Sequence, residues 1–131
     1  MKVFVQLSVI CALGLSLQLP PDVLELWEAN VAPFLDTCTK EMNVDPEIAK
    51  NMFRHVHLPD EQTFHCFMYC IFQKQRFLNS DDELDREQML ETIQTLTPDS
   101  LQLCIDGAAG VTDVCVKMYN LTRCIVHDVA E

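Results

Sequence analysis

Cysteine is the residue type with the most chemistry to offer in this 131-residue chain, which has seven. Two of them fall in the run Thr63-Phe64-His65-Cys66-Phe67-Met68-Tyr69-Cys70-Ile71-Phe72. At about 100° per residue, Cys66 and Cys70 lie one turn apart on one edge of a helix, beside an arc of Phe64, Phe67, Met68 and Ile71. A thiol serves as nucleophile, metal ligand or half of a disulfide, and its compartment largely decides which. Here the N-terminus speaks for export. Lys2, the apolar run Val3 to Leu15, and the small residues Gly14 and Ser16 read as a signal peptide over residues 1–16, too short to span a bilayer. Its removal takes Cys11 away and leaves Cys38, Cys66, Cys70, Cys104, Cys115 and Cys124. An even set in a short secreted chain reads as a disulfide framework, which leaves no thiol as nucleophile or zinc ligand.

Other reactive constellations fare badly. Adjacent His127-Asp128 is superficially similar to secreted phospholipases, but that chemistry needs a glycine-rich calcium loop, and the chain has three glycines. Asp81-Asp82-Glu83-Leu84-Asp85 lacks the glycine and alternating ligands of an EF-hand and reads as a solvated loop. No catalytic residue, metal or cofactor is expected. Histidine changes charge near neutral pH, so His55, His57 or His127 loosening a lid on acidification is one reading. Plain surface histidines are the other, taken for His65 on the polar side of its helix. Asn120-Leu121-Thr122 matches the glycosylation sequon but sits inside a helix between two cysteines, where a chance match is the better reading.

The formal charge of −11 becomes more negative once Lys2 is gone, which opposes binding to nucleic acid and to anionic membrane surfaces. Solubility in a protein-rich fluid explains it. Residues 17–131 suffice for one domain with a sizeable core and not for two.

The elements that must position the cysteines read as helices throughout. Pro20-Pro21 and Asp22 open a first helix to about Met42-Asn43, with Pro33 expected to kink or divide it. Asp45-Pro46-Glu47 caps a short second one to about His55. Asp60 is expected to cap the central helix, running to about Phe77. A fourth covers Asp85 to Leu96. Thr97-Pro98-Asp99-Ser100 opens a fifth, ended by Gly107 and Gly110, and the last runs from about Thr112 to Val129. Along that last helix Cys115 and Cys124 emerge about 180° apart and cannot face the same neighbour. The fold class is all-α.

The cysteine spacing is Cys38-x27-Cys66-x3-Cys70-x33-Cys104-x10-Cys115-x8-Cys124. With the signal peptide, the size and the helical pattern, it resembles the insect odorant-binding family, which includes the pheromone-binding proteins, over essentially the whole mature chain. The resemblance implies about six helices enclosing an apolar cavity, stapled by three interlocked disulfides: Cys38–Cys70, Cys66–Cys115 and Cys104–Cys124. It also marks a departure, since seven residues follow Cys124, too few for the long tail that enters the pocket in some relatives.

The candidate pocket draws on Phe34, Met52, Phe53, Phe64, Phe67, Met68, Ile71, Met89, Ile93, Met118, Leu121 and Ile125. Met and Phe suit varied apolar guests, because the thioether is flexible and polarizable and the rings offer large faces; each residue reads equally well as plain core. The function implied is a secreted carrier of small hydrophobic ligands, odorants or pheromones, in sensory lymph. Its onward partner would be a membrane olfactory receptor, and the carrier itself a monomer or weak homodimer. A disulfide-stapled helical signalling protein, a non-olfactory lipid carrier and a lipolytic enzyme are the alternatives.

Overall fold

Proline at the first helical position fixes φ without sacrificing a needed N–H, and Pro21 accordingly opens α1, Pro21–Met42. The computed structural model describes residues 17–56 and 58–130. The expected signal peptide 1–16, with Cys11, lies outside the described residues, as do His57 and Glu131. Among the described residues there are six helices and no strand, only an isolated antiparallel bridge between Leu78 and Leu84.

Of the two outcomes expected at Pro33, division does not occur: α1 runs through it unbroken. The carbonyl it leaves unpaired belongs to Ala29, and both residues are exposed, so water can take the lost bond. Val23, Trp27 and Val31 bury one face on the near side of the proline, and Cys38 and Thr39 on the far side. The helix stops at Asn43, which turns left-handed at φ 54°.

In α2, Pro46–Lys50, the Asp45 side chain accepts a hydrogen bond from the Glu47 N–H. The helix is shorter than the sequence suggests, ending before Met52 and Phe53 rather than near His55. The central helix α3, Gln62–Lys74, departs at both ends. Asp60 does not cap it; its Oδ1 instead lies 2.8 Å from His65 Nε2. That histidine is buried, not on a polar side, and packs at a tilt against Tyr119 with ring centroids 4.3 Å apart.

At its C-terminus α3 ends three residues before Phe77. Arg76 adopts φ 64°, the Phe77 N–H bonds the Phe72 carbonyl at 2.9 Å, and the Arg76 N–H bonds that of Gln73 at 3.1 Å. This is a Schellman stop with arginine where glycine is usual. It folds Phe77 back edge-on to Phe72, centroids 5.4 Å apart.

The acidic connection is a tight reversal. Asn79 Oδ1 accepts from the N–H groups of Asp81 and Glu83, and the Tyr69 hydroxyl donates to Asp82 Oδ1 at 2.7 Å. Asp85 caps α4, Arg86–Thr92, a short helix anchored by the fully buried Met89. A Thr97–Ser100 capping box starts α5, Pro98–Ala108, and Gly107 lies within that helix rather than ending it. Asp113 accepts from the N–H groups of Cys115 and Val116 to start α6, Val114–Val129.

In packing, α3 is the hub: both α1 and α6 lie against it, while α2 leans on α1 and α5 on α6. Three disulfides lock this order. Cys38–Cys70 ties α1 to α3, Cys66–Cys115 ties α3 to the start of α6, and Cys104–Cys124 ties α5 to α6. The last helix is thus held from two sides, as the half-turn between Cys115 and Cys124 requires.

Candidate ligand-binding site

Residues spaced three and four apart share a helix face, and three such faces enclose the apolar cavity of the bundle. Trp27, Asn30 and Val31 come from α1, Thr122, Ile125 and Val126 from α6, and Met68, Ile71 and Phe72 from α3, with Gln75 at its C-cap. Phe53, Phe77 and Ile93 close the gaps from the ends of neighbouring helices. The half-buried Asn30, Gln75 and Ile93 mark where the wall meets solvent.

No wall residue carries a formal charge. The Thr122 hydroxyl donates to the Met118 carbonyl at 2.8 Å, and Asn30 Nδ2 donates to the Thr92 carbonyl at 3.2 Å, fastening the end of α4 to α1. Gln88 Nε2 donates to the Gln75 carbonyl at 3.3 Å, fastening α4 to the end of α3. Two amide side chains, those of Asn30 and Gln75, thus stand at the rim of the cavity. Inside, Trp27 meets Phe53 edge-on at 5.5 Å.

The void is about 50 Å³. A water molecule needs about 10–15 Å³ on this scale, so a few fit, but an organic guest requires the wall to move. At about 24 cal/mol per Å³ a void of about 50 Å³ costs on the order of 1 kcal/mol. One disulfide contributes about 2–4 kcal/mol, so covalent closure readily offsets it.

Of the residues proposed from sequence, the structure brings Phe53, Met68, Ile71, Ile93 and Ile125 to this wall. Met52, Phe64, Phe67, Met89, Met118 and Leu121 are instead buried among other core side chains; Phe64, for example, packs on Phe67 and Tyr119. Phe34 is half-buried at the edge of the core. The apolar arc of a helix is wider than the strip that faces a void, and periodicity does not divide it. Trp27, Asn30, Val31, Phe72, Gln75, Phe77, Thr122 and Val126 were not in the sequence-derived set. Steps of three and four from Met68 reach Ile71, Phe72 and Gln75, and from Ile125 they reach Thr122; that signal was available. Phe77 has none, because the turn at Arg76 brings it in.

A second cleft, about 660 Å³, is larger but of another character. Asp60, Tyr119, Asn120, Arg123 and His127 line it beside Val56 and Leu58. An apolar guest there would strip charged groups of water, which is costly, so volume alone misleads. The Tyr119 hydroxyl donates to the Leu58 carbonyl at 2.8 Å, and burial, then the nearby Asp60 charge, raises its pKa above the ordinary value. Among the described residues no group of three His, Cys, Asp or Glu side chains is placed to hold a metal ion, and no helix is long and apolar enough to cross a membrane.

Neither the curated proteins nor the solved structures compared with this chain yield a match. The PBP/GOBP family, the insect pheromone-binding and general odorant-binding carriers, matches residues 23–128. That stretch takes in the three helical faces of the cavity and all six bridged cysteines, and the chain therefore belongs to the PBP/GOBP family.

Proposed function

We propose that this protein is a secreted carrier that holds a small hydrophobic molecule, an odorant or pheromone, non-covalently within the bundle and releases it to a membrane olfactory receptor. The observation that carries this reading is the uncharged wall drawn from α1, α3 and α6, with amide side chains at its rim. Burying apolar ligand surface against such a wall is worth about 25 cal/mol per Å². Export through residues 1–16 is part of the same proposal, because bridges of this kind form and persist in oxidising compartments.

The small void favours a second reading, a disulfide-stapled interaction protein whose core is filled. Displacement of the dye N-phenyl-1-naphthylamine separates the two. A carrier takes up the dye at one site per chain and yields it to apolar competitors without chemical change; a filled core leaves its fluorescence unaltered at all ligand concentrations. Hydrolysis of an ester competitor would overturn both.

A further inference from the structure

Acidic residues outnumber basic ones 20 to 9 in this chain, yet the larger cleft, walled by α5, α6 and the segment that leads into α3, carries a cation. Arg123 is the one Lys or Arg of that wall among the described residues, and none of the ion pairs among those residues includes it. Burial raises the Tyr119 pKa and the Arg123 guanidinium opposes that shift, so the guanidinium stands beside the phenol hydroxyl. That hydroxyl donates to the Leu58 carbonyl at 2.8 Å, which sets the positive charge close to Leu58. Leu58 and Val56, both buried, form the apolar part of the wall. Asn120 and His127 flank Arg123 at steps of three and four along one face of α6 and line the same cleft. Asp60 is the one carboxylate of the wall among the described residues, and it does not neutralise Arg123. Its Oδ1 lies 2.8 Å from His65 Nε2, whereas no oxygen of it comes within ion-pairing distance of the guanidinium. An ionised carboxylate only accepts, so the imidazole proton sits on Nε2 and Asp60 is already engaged.

We propose that this cleft is a second binding site, selective for small organic anions with an apolar body, whose carboxylate pairs with Arg123 while the body lies on Val56 and Leu58. A guanidinium presents a fork of N–H groups that can meet a carboxylate with two parallel bonds, and charge-assisted bonds of this kind are the stronger ones. The cavity between α1, α3 and α6 has no charge in its wall to meet such a guest. The chain thus sorts guests by charge, neutral ones inside the bundle and anionic ones in the cleft. This second site goes beyond the carrier reading and does not rest on it.

The test titrates nonanoate at neutral pH into the isotope-labelled, disulfide-bonded mature chain, with 1-nonanol as a probe of the same length and no charge. Nonanoate gives intermolecular NOEs to the methyl groups of Val56 and Leu58 and moves the side-chain amide resonances of Asn120; 1-nonanol does neither. Arg123 is exposed, so Arg123→Gln leaves the core untouched. It weakens nonanoate roughly tenfold, the low end of what one hydrogen bond to a charged group is worth. Arg123→Lys keeps the charge without the fork and falls between wild type and Arg123→Gln. The wild-type NOEs stand as a readout if a variant fails to fold. Nonanoate NOEs confined to Met68, Ile71 and Ile125, or none to the protein at millimolar nonanoate, would overturn the proposal. So would equal affinity of Arg123→Gln and wild type, or NOEs from 1-nonanol to Val56 and Leu58 as strong as those from nonanoate. Each of these leaves the carrier reading standing, because that reading is tested with a neutral dye.

Discussion

Every bridged cysteine lies on α1, α3, α5 or α6, and none falls between Ile71 and Leu103. The stapled region supplies most of the cavity wall; the unstapled one, from the end of α3 through α4, supplies Phe72, Gln75, Phe77 and Ile93. The first is tied by covalent bonds and by a packed core around Phe64, Phe67, Met118 and Leu121. The second has no covalent tie and is held by the buried Phe77, Leu78, Met89 and Leu96, by the Leu78–Leu84 bridge, by two amide hydrogen bonds and by a left-handed turn at Arg76. A cavity too small for its guest must open where restraint is least, and free energies of local opening follow such differences. The segment around α4 carries no staple, so any opening of the wall is expected there first.

Substitutions should expose that contrast. The largest effect is expected in the stapled region, where Phe67→Ala removes a fully buried ring and costs about 3–5 kcal/mol in chemical denaturation. Next comes Cys66→Ala combined with Cys115→Ala: loss of the bridge between α3 and α6 costs about 2–4 kcal/mol. Either variant unfolding at the wild-type denaturant midpoint would mean the stapled region is not the rigid one.

On the other side, Asn30→Ala removes the tie between α1 and the end of α4. Amide exchange at Ile93 and Leu96 should quicken on the order of fivefold, as for one lost hydrogen bond of about 1 kcal/mol. Amides of α3 and α6 should not change; a uniform increase would erase the distinction. Smaller still, Arg76→Gly relieves a left-handed residue and should stabilise the fold by about 1 kcal/mol. Loss of stability would show that the arginine side chain does more than tolerate the turn.

A pH experiment samples both regions through the chain's two tyrosines. The Tyr69 phenol is raised above the ordinary 10.0 by its hydrogen bond to the Asp82 carboxylate and by burial, and that of Tyr119 chiefly by burial. A raised phenol means the fold favours the neutral form. The resulting stability is full below the ordinary value and is lost as pH climbs through the raised one. Absorbance at the tyrosinate band should therefore show less than half ionisation in the folded protein at pH 10, against half in the unfolded chain. Half ionisation in the folded chain would contradict both assignments.

Much of the fold is legible in the sequence because the signals are local. Asp45, Asp85, Thr97 and Asp113 each begin a helix through a side chain that accepts a backbone N–H, and Pro21, Pro46 and Pro98 stand in first turns where proline fits. Where the reading missed, the deciding contact is distant. Asp60 has the type of a cap residue but reaches His65, whose burial depends on Tyr119 of another helix. Arg76 stops α3 with no glycine to announce it. Pro33 does not divide α1, and it and Ala29, whose carbonyl it leaves without an N–H, are exposed, a fact of packing rather than of composition. The same limit governs the site. Periodicity marks Met68, Ile71 and Ile125 as inward, but whether an inward residue meets a void or a neighbour, as Phe67 and Leu121 do, is settled by three helices at once.

The most direct test places a guest and observes its neighbours. With isotope-labelled protein and saturating 2-nonanone, intermolecular NOEs should connect the ligand to the methyl groups of Met68, Ile71 and Ile125. NOEs confined to Leu58, Tyr119 or Arg123 in the larger cleft, or none at saturation, would contradict a guest held among α1, α3 and α6.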